Sequence, residues 1–300
     1  MEAPPKFVFY AYAPSLPAAI IFVIAFGLST IWHIKQLCQS RTWYFIPFII
    51  GCLFETVGYV GRAISSTESP NFNKNPYIIQ SVLLLLGPTL FAASIYMTLG
   101  RIIRLLDAGQ YSLVPARWIT KLFVLGDVLS FFAQGAGGGL LTTAKTENDV
   151  AKGQNIILGG LGIQILFFSF FVIATAAFHV RIYRSPTTQS LNTTTLWVPM
   201  LYVLYIASLL ILIRSVFRIA EYSQGSRGLL MTHEYFLYLL DALPMFAVCA
   251  LFNWMHPSKV IGRCSHVEGG GGAGVKTESR QRLGVYFSSA ELPASLARAL

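Results

Sequence analysis

This sequence is short of charge. Lys, Arg, Asp and Glu together make up 12% of its 300 residues, about half the share in a soluble domain. Cysteine is scarce too. Cys52 and Cys249 fall within apolar runs, and with Cys38 and Cys264 they make no disulfide framework. No GxxxxGK[ST] occurs, which excludes ATP binding through a P-loop. No lysine lies between Lys152 and Lys259, which excludes a retinal Schiff base in the last apolar run. His233-Glu234 opens like a zinc-protease HExxH, but Leu237 stands where the second ligand belongs. The five histidines (33, 179, 233, 256 and 266) show no metal spacing, and no Ser–His–Asp grouping has convincing spacing. The expectation is a chain that is no enzyme and carries neither metal nor cofactor.

What the sequence has in abundance is apolar surface, 54% of its residues. Seven runs approach or exceed the roughly 20 residues that cross a bilayer: 17–33, 43–64, 77–99, 118–141, 156–183, 196–218 and 234–255. Asp127, Gln134 and the glycines of 135–139 make the fourth the least continuous. Lipid offers no hydrogen-bond partners, so each run must satisfy its backbone internally as a helix. The fold class is therefore all-α, a polytopic membrane protein of seven transmembrane helices.

The excess positive charge, +9 overall, reads as a topology signal. Lys35, Arg41, Arg101, Arg104, Arg117, Lys121, Arg181, Arg184 and Lys259 lie in or beside the connections after the first, third and fifth runs and after the last. Cytoplasmic loops carry such an excess. The expected organisation is a short extracellular N-terminus (1–16), a seven-helix domain (17–256) and a disordered basic cytoplasmic tail (257–300) containing GGGGAG. The charge also suits anionic lipid, and nothing calls for nucleic acid. Trp32, Trp43, Trp118, Trp197 and Trp254 all fall near the inner boundaries, as an interfacial belt would. The sequon at Asn192 would lie inside, where it is not glycosylated.

Within the runs, polar residues recur seven apart: Glu55 and Arg62, Asp127 and Gln134, Arg214 and Glu221, Glu234 and Asp241. Two helical turns put each pair on one face, with Tyr59, Ser130, Arg218 and Tyr238 between them. A charge at a helix centre costs about 2.5–3.5 kcal/mol on insertion scales, so these stripes face the bundle interior. They either lock helix to helix as ion pairs or line a cavity. Most fall in the expected outer half, which favours a vestibule opening outward. Five acids (Glu55, Asp127, Glu221, Glu234 and Asp241) oppose three bases (Arg62, Arg214 and Arg218). The surplus must be protonated, hydrated or matched by a visiting cation. Gly135 and Gly139, four apart, suit close helix packing. Pro88 and Pro199 either kink their helices or sit in a first turn.

An ordered set of short matches runs through these segments: Tyr12-Ala-Pro14-Ser15, Glu55-x-x-Gly58-Tyr59-x-x-Arg62, Gln80, Pro88, Ala92-Ala93, Tyr96, Gly100-Arg101, Asp127, Ser130, Gln134 and Gly137–Gly139. Gly160, Gln164, Arg214-x-x-Phe217-Arg218-x-x-Glu221, Gly225, Gly228, Glu234, Tyr238, Asp241, Met245 and His256-Pro257 complete it. In this the chain resembles the fungal lipid-translocating exporter family, the RTA-like proteins. Leu86-Gly87-Pro88 departs from the LAP expected there, and the tail lies outside the resemblance. The resemblance implies a seven-helix plasma-membrane protein linked to export or flipping of amphiphilic lipids such as sphingoid bases or sterol-like toxicants, with porphyrin uptake in one branch. It supplies no catalytic residues.

The substrate-binding residues expected are Glu55, Tyr59, Arg62, Asp127, Gln134, Arg214, Arg218, Glu221, Glu234, Tyr238 and Asp241. The partners expected are membrane lipids and an amphiphilic small molecule; oligomeric state is open. The alternative is a seven-helix receptor or lipid sensor, whose pocket binds without passage.

Overall fold

A computed structural model describes residues 14–68, 73–144, 146–192, 196–224, 230 and 233–261. Seven helices are long and apolar enough to cross a membrane. They are α1 (Leu16–Ser40), α2 (Ile46–Thr67), α3 (Lys74–Leu105), α4 (Ala116–Thr143), α5 (Glu147–Arg184) and α6 (Trp197–Ser223). The seventh, α7, joins α-helical Glu234–Leu237, a π-helical turn at Tyr238–Ala242 and α-helical Leu243–Trp254. A short helix, Thr188–Asn192, precedes α6.

Local chemistry sets several of these ends. Pro17 and Pro47 occupy the first turns of α1 and α2, where a missing N–H costs nothing. Pro199 likewise sits in the first turn of α6, so it starts that helix rather than kinking it. Thr146 caps α5 by accepting from the Asp149 N–H at 3.2 Å. That cap explains why α5 begins well before the apolar run at 156. Its 38 residues span about 57 Å, well beyond the roughly 30 Å of a hydrocarbon core. Arg41 ends α1 in the left-handed conformation, with φ of 51°.

Each helix packs on its chain neighbours, α7 closes the ring on α1, and α3 touches α6 across the middle. The polarity is inside out relative to a soluble bundle. Ile21, Ile24, Leu28 and Ile31 are exposed on α1, while Arg62 and Arg214 are the largest fully buried side chains. That is the arrangement lipid demands, since a charge survives there only against protein. The protein is a multi-pass membrane protein.

Close approach of α4 and α5 depends on glycine, but not on the two residues their spacing suggested. Gly135 and Gly139 face open space. It is Gly137 that meets the other helix, since a Cβ there would lie 2.7 Å from the Gly153 oxygen of α5. The five tryptophans gather at the end of the bundle where α2, α4 and α6 begin, and four of them are exposed. Lys35 lies over the Trp32 ring and Lys121 over that of Trp118, so the basic residues share this end. The described chain runs on past 256, through a turn at Ser258–Ile261 that buries Val260. The tail from 262 lies outside the described residues, as do Thr193 and Thr194 of the sequon.

Candidate functional site

The three interior arginines converge at the end of the bundle where α1 begins. Arg62 of α2 donates from Nη2 to Glu234 Oε1 of α7 at 2.8 Å and from Nε to the Tyr238 hydroxyl at 3.0 Å. Tyr238 in turn donates to the same Glu234 oxygen at 3.1 Å. Both Glu234 oxygens accept from the Ser15 N–H, each at 2.9 Å. One carboxylate therefore gathers the starts of α1 and α7 and the end of α2. Ser15 enters through its backbone, a role that side-chain patterns do not reveal.

Asp241 organises the second part. Its Oδ1 lies 2.6 Å from Arg214 Nε, and its Oδ2 accepts from Arg218 Nη2 at 2.6 Å. Arg218 also donates to Glu221 Oε2 at 2.9 Å along α6. The π turn at Tyr238–Ala242, where the Leu243 N–H reaches back five residues to Tyr238 O, sets the rotation of α7 through Asp241. Arg214 completes its contacts by donating from Nη2 to the main-chain oxygen of Leu84 in α3 at 2.6 Å.

These contacts identify the surplus that the sequence left unassigned. Glu221, Glu234 and Asp241 pair with the three arginines. The two acids left over are Glu55 and Asp127. Glu55 is 2% exposed, forms no ion pair among the described residues, and its Oε1 has no hydrogen-bond partner. Its carboxyl lies against α3, where a Cβ on Gly87 would come within 2.6 Å of Oε1. One turn along α2, Tyr59 stacks on Phe26 and Phe22 with its hydroxyl unpartnered. A buried carboxylate with no partner is costly, so Glu55 must be protonated, hydrated or matched by a cation from outside the protein.

Asp127 belongs to a different group. It accepts from the Tyr96 hydroxyl of α3 at 3.0 Å, and its other oxygen has no partner among the described residues. Two further turns along α4, Gln134 donates to Ser130 Oγ at 2.5 Å and to Gln164 Oε1 of α5 at 3.3 Å. Tyr96 of α3 and Gln164 of α5 supply these partners; both stand among the ordered matches in the sequence, but the apolar runs of α3 and α5 carry no ionisable or amide pair seven apart to mark them.

The structure corrects the single outward vestibule in two respects. The stripes divide into an ionic cluster on α2, α6 and α7 and a hydroxyl–amide network on α3, α4 and α5, because α4 packs on α3 and α5. The ionic groups also meet one another rather than solvent: Arg214 and Arg62 are each 1% exposed, and the most open members, Glu234 and Arg218, are 16% and 14% exposed. The cavity described, about 320 Å³, lies at the opposite end, lined by Asp107, Tyr111 and Thr187 among others. Among the described residues no group of His, Cys, Asp and Glu could hold a metal.

Seven apolar helices around a buried ionic cluster define an integral membrane protein with polar machinery inside the bilayer. Residues 48–263 match the model for the RTA1 like protein family, and the chain belongs to that family. It is 38% identical to the protoporphyrin uptake protein 1 of Saccharomyces cerevisiae, over 82% of this chain and 91% of that protein. It is 28% identical to the probable lipid transporter atnI of Emericella nidulans, over 84% and 68%. It is 26% identical to the sphingoid long-chain base transporter RSB1 of Saccharomyces cerevisiae, over 81% and 72%. No solved structure matches the chain. Relatives named as lipid transporters connect the family with transport of membrane lipids.

Proposed function

We propose that this protein moves a lipid-like amphiphile with a cationic head across the plasma membrane, and that Glu55 receives the head group. The observation that carries this reading is the one uncompensated acid beside the ionic cluster. Each interior arginine already has a carboxylate, so beside the ionic cluster a head bearing an amine finds its free counter-charge at Glu55, while Asp127 lies apart on α4 against Tyr96. Arg214, Arg218 and Asp241 lie within electrostatic range of that position, and Arg62, Glu221, Glu234 and Tyr238 extend the same side-chain cluster on this reading. Tyr59, one turn along α2, offers a hydroxyl without a partner among the described residues. Asp127 and Gln134 line a separate station between α3, α4 and α5 on the same reading.

The arrangement is the closed form of a pathway. Opening requires Glu234 or Asp241 to release an arginine, and an incoming ammonium offsets the loss by taking that arginine's place on the carboxylate. The sequence has no nucleotide-binding loop, so movement is downhill, proton-linked or driven by a partner. The basic, tryptophan-rich end faces the cytoplasm on this reading. The relative named for sphingoid long-chain bases supports a cationic cargo. The relative named for protoporphyrin uptake, the more identical of the two, supports a second, planar cargo whose carboxylates would meet the arginines instead.

Purified protein in liposomes tests this, with a labelled sphingoid base, a porphyrin and a sterol compared against empty vesicles. Flux of the base above the empty-vesicle rate is expected. Binding without any flux would favour the receptor reading instead.

A further inference from the structure

Pro88 stands inside α3, where it has no N–H to give. The main-chain oxygen four residues earlier, on Leu84, therefore lacks its intrahelical donor. That oxygen is the one Arg214 reaches from α6 at 2.6 Å. The residue before the proline is Gly87, and the space its missing side chain leaves is taken by the Glu55 carboxyl from α2. Gly87-Pro88 thus cuts a notch into α3, and a guanidinium and a carboxyl from two other helices end there within one turn of each other. Yet Arg214 and Glu55 form no ion pair. Arg214 spends one nitrogen on Leu84 and another on Asp241.

We propose that Pro88 is a positioning residue: by freeing the Leu84 oxygen it anchors Arg214 on α3, and so keeps Glu55 without an ion-pair partner and open to a cation. This rests on reading Glu55 as the head-group acid. With an N–H restored at 88, the helix competes for the Leu84 oxygen. Arg214 loses part of its anchor and gains freedom to turn to Glu55. Asp241 and Arg218 also lie within electrostatic range of Glu55, but they hold each other at 2.6 Å.

A lipophilic carbodiimide tests this on the full-length protein without any need for flux. The reagent adds to a buried carboxyl that is free of a cation, and mass spectrometry of the Glu55 peptide reads the adduct. The wild type is expected to label. Pro88→Ala should label about fivefold more slowly, the factor set by one hydrogen bond. Pro88→Ala combined with Arg214→Gln should recover the wild-type rate, because the freed guanidinium is gone and Arg218 stays on Asp241. A proline that only shapes α3 predicts no such recovery. Thermal midpoints in detergent give a second reading: the shifts of Pro88→Ala and Arg214→Gln should add to less than their sum. An unlabelled wild type, an unslowed Pro88→Ala, a slowing that Arg214→Gln fails to reverse, or additive midpoint shifts would each overturn the proposal. Absence of flux with the labelling pattern intact would overturn the transport reading instead, and would support the placement of Glu55.

Discussion

Arg62 and Glu234 meet at 2.8 Å between α2 and α7, and the same carboxylate holds the first turn of α1 through the Ser15 N–H. Three helix ends share one acid. Removing either partner leaves a charge in a place built for two, which typically costs about 3–5 kcal/mol.

Glu234→Gln should therefore lower the thermal midpoint in detergent markedly. Arg62→Met with Glu234→Gln should recover part of the loss, because no charge is then left unpaired. Thermal unfolding of the three proteins checks it, and equal damage from the single and double variants would count against the pair.

Tyr96 gives Asp127 its hydrogen bond. Tyr96→Phe should destabilise by about 1–3 kcal/mol, the usual result of leaving a buried acceptor unmet. Adding Asp127→Leu to Tyr96→Phe should return much of that loss, since both polar groups are then gone. Urea or thermal unfolding resolves the two cases.

The α4–α5 contact makes a sharp contrast among neighbouring glycines. Gly137→Ala places a methyl 2.7 Å from the Gly153 oxygen, and backbone cannot move aside cheaply. That variant should lower the thermal midpoint. Gly139→Ala meets nothing and should be neutral or stabilising by up to about 1 kcal/mol, from helix propensity alone.

The seven spans were legible because apolar length and an interior polar stripe are properties of single helices. The polar residues that the seven-residue spacing singled out on α2 and α7, Glu55, Arg62, Glu234 and Asp241, are all largely buried, though a π turn comes between the last two. Which stripe meets which depends on how each helix is rotated in the ring, and no spacing within one helix encodes that. Arg214 and Glu221 share a face of α6, yet Arg214 finds its acid on α7. Asp127 follows α4 away from the arginines, so one expected chamber became two networks. The excess of acids over bases was plain in the sequence, but only the contacts show that Glu55 and Asp127 are the unmatched pair. Pro88 was visible as a break in helical donors; its consequence for Arg214 needed the third dimension.

Glu55 offers the most direct test of transport through a free counter-charge. Because it has no ion-pair partner, Glu55→Gln should keep the thermal midpoint of the wild type, unlike Glu234→Gln. In liposomes its flux of a labelled sphingoid base should fall about tenfold, as loss of one charge-assisted contact would cause. Wild-type flux from Glu55→Gln protein of unchanged stability would contradict the account.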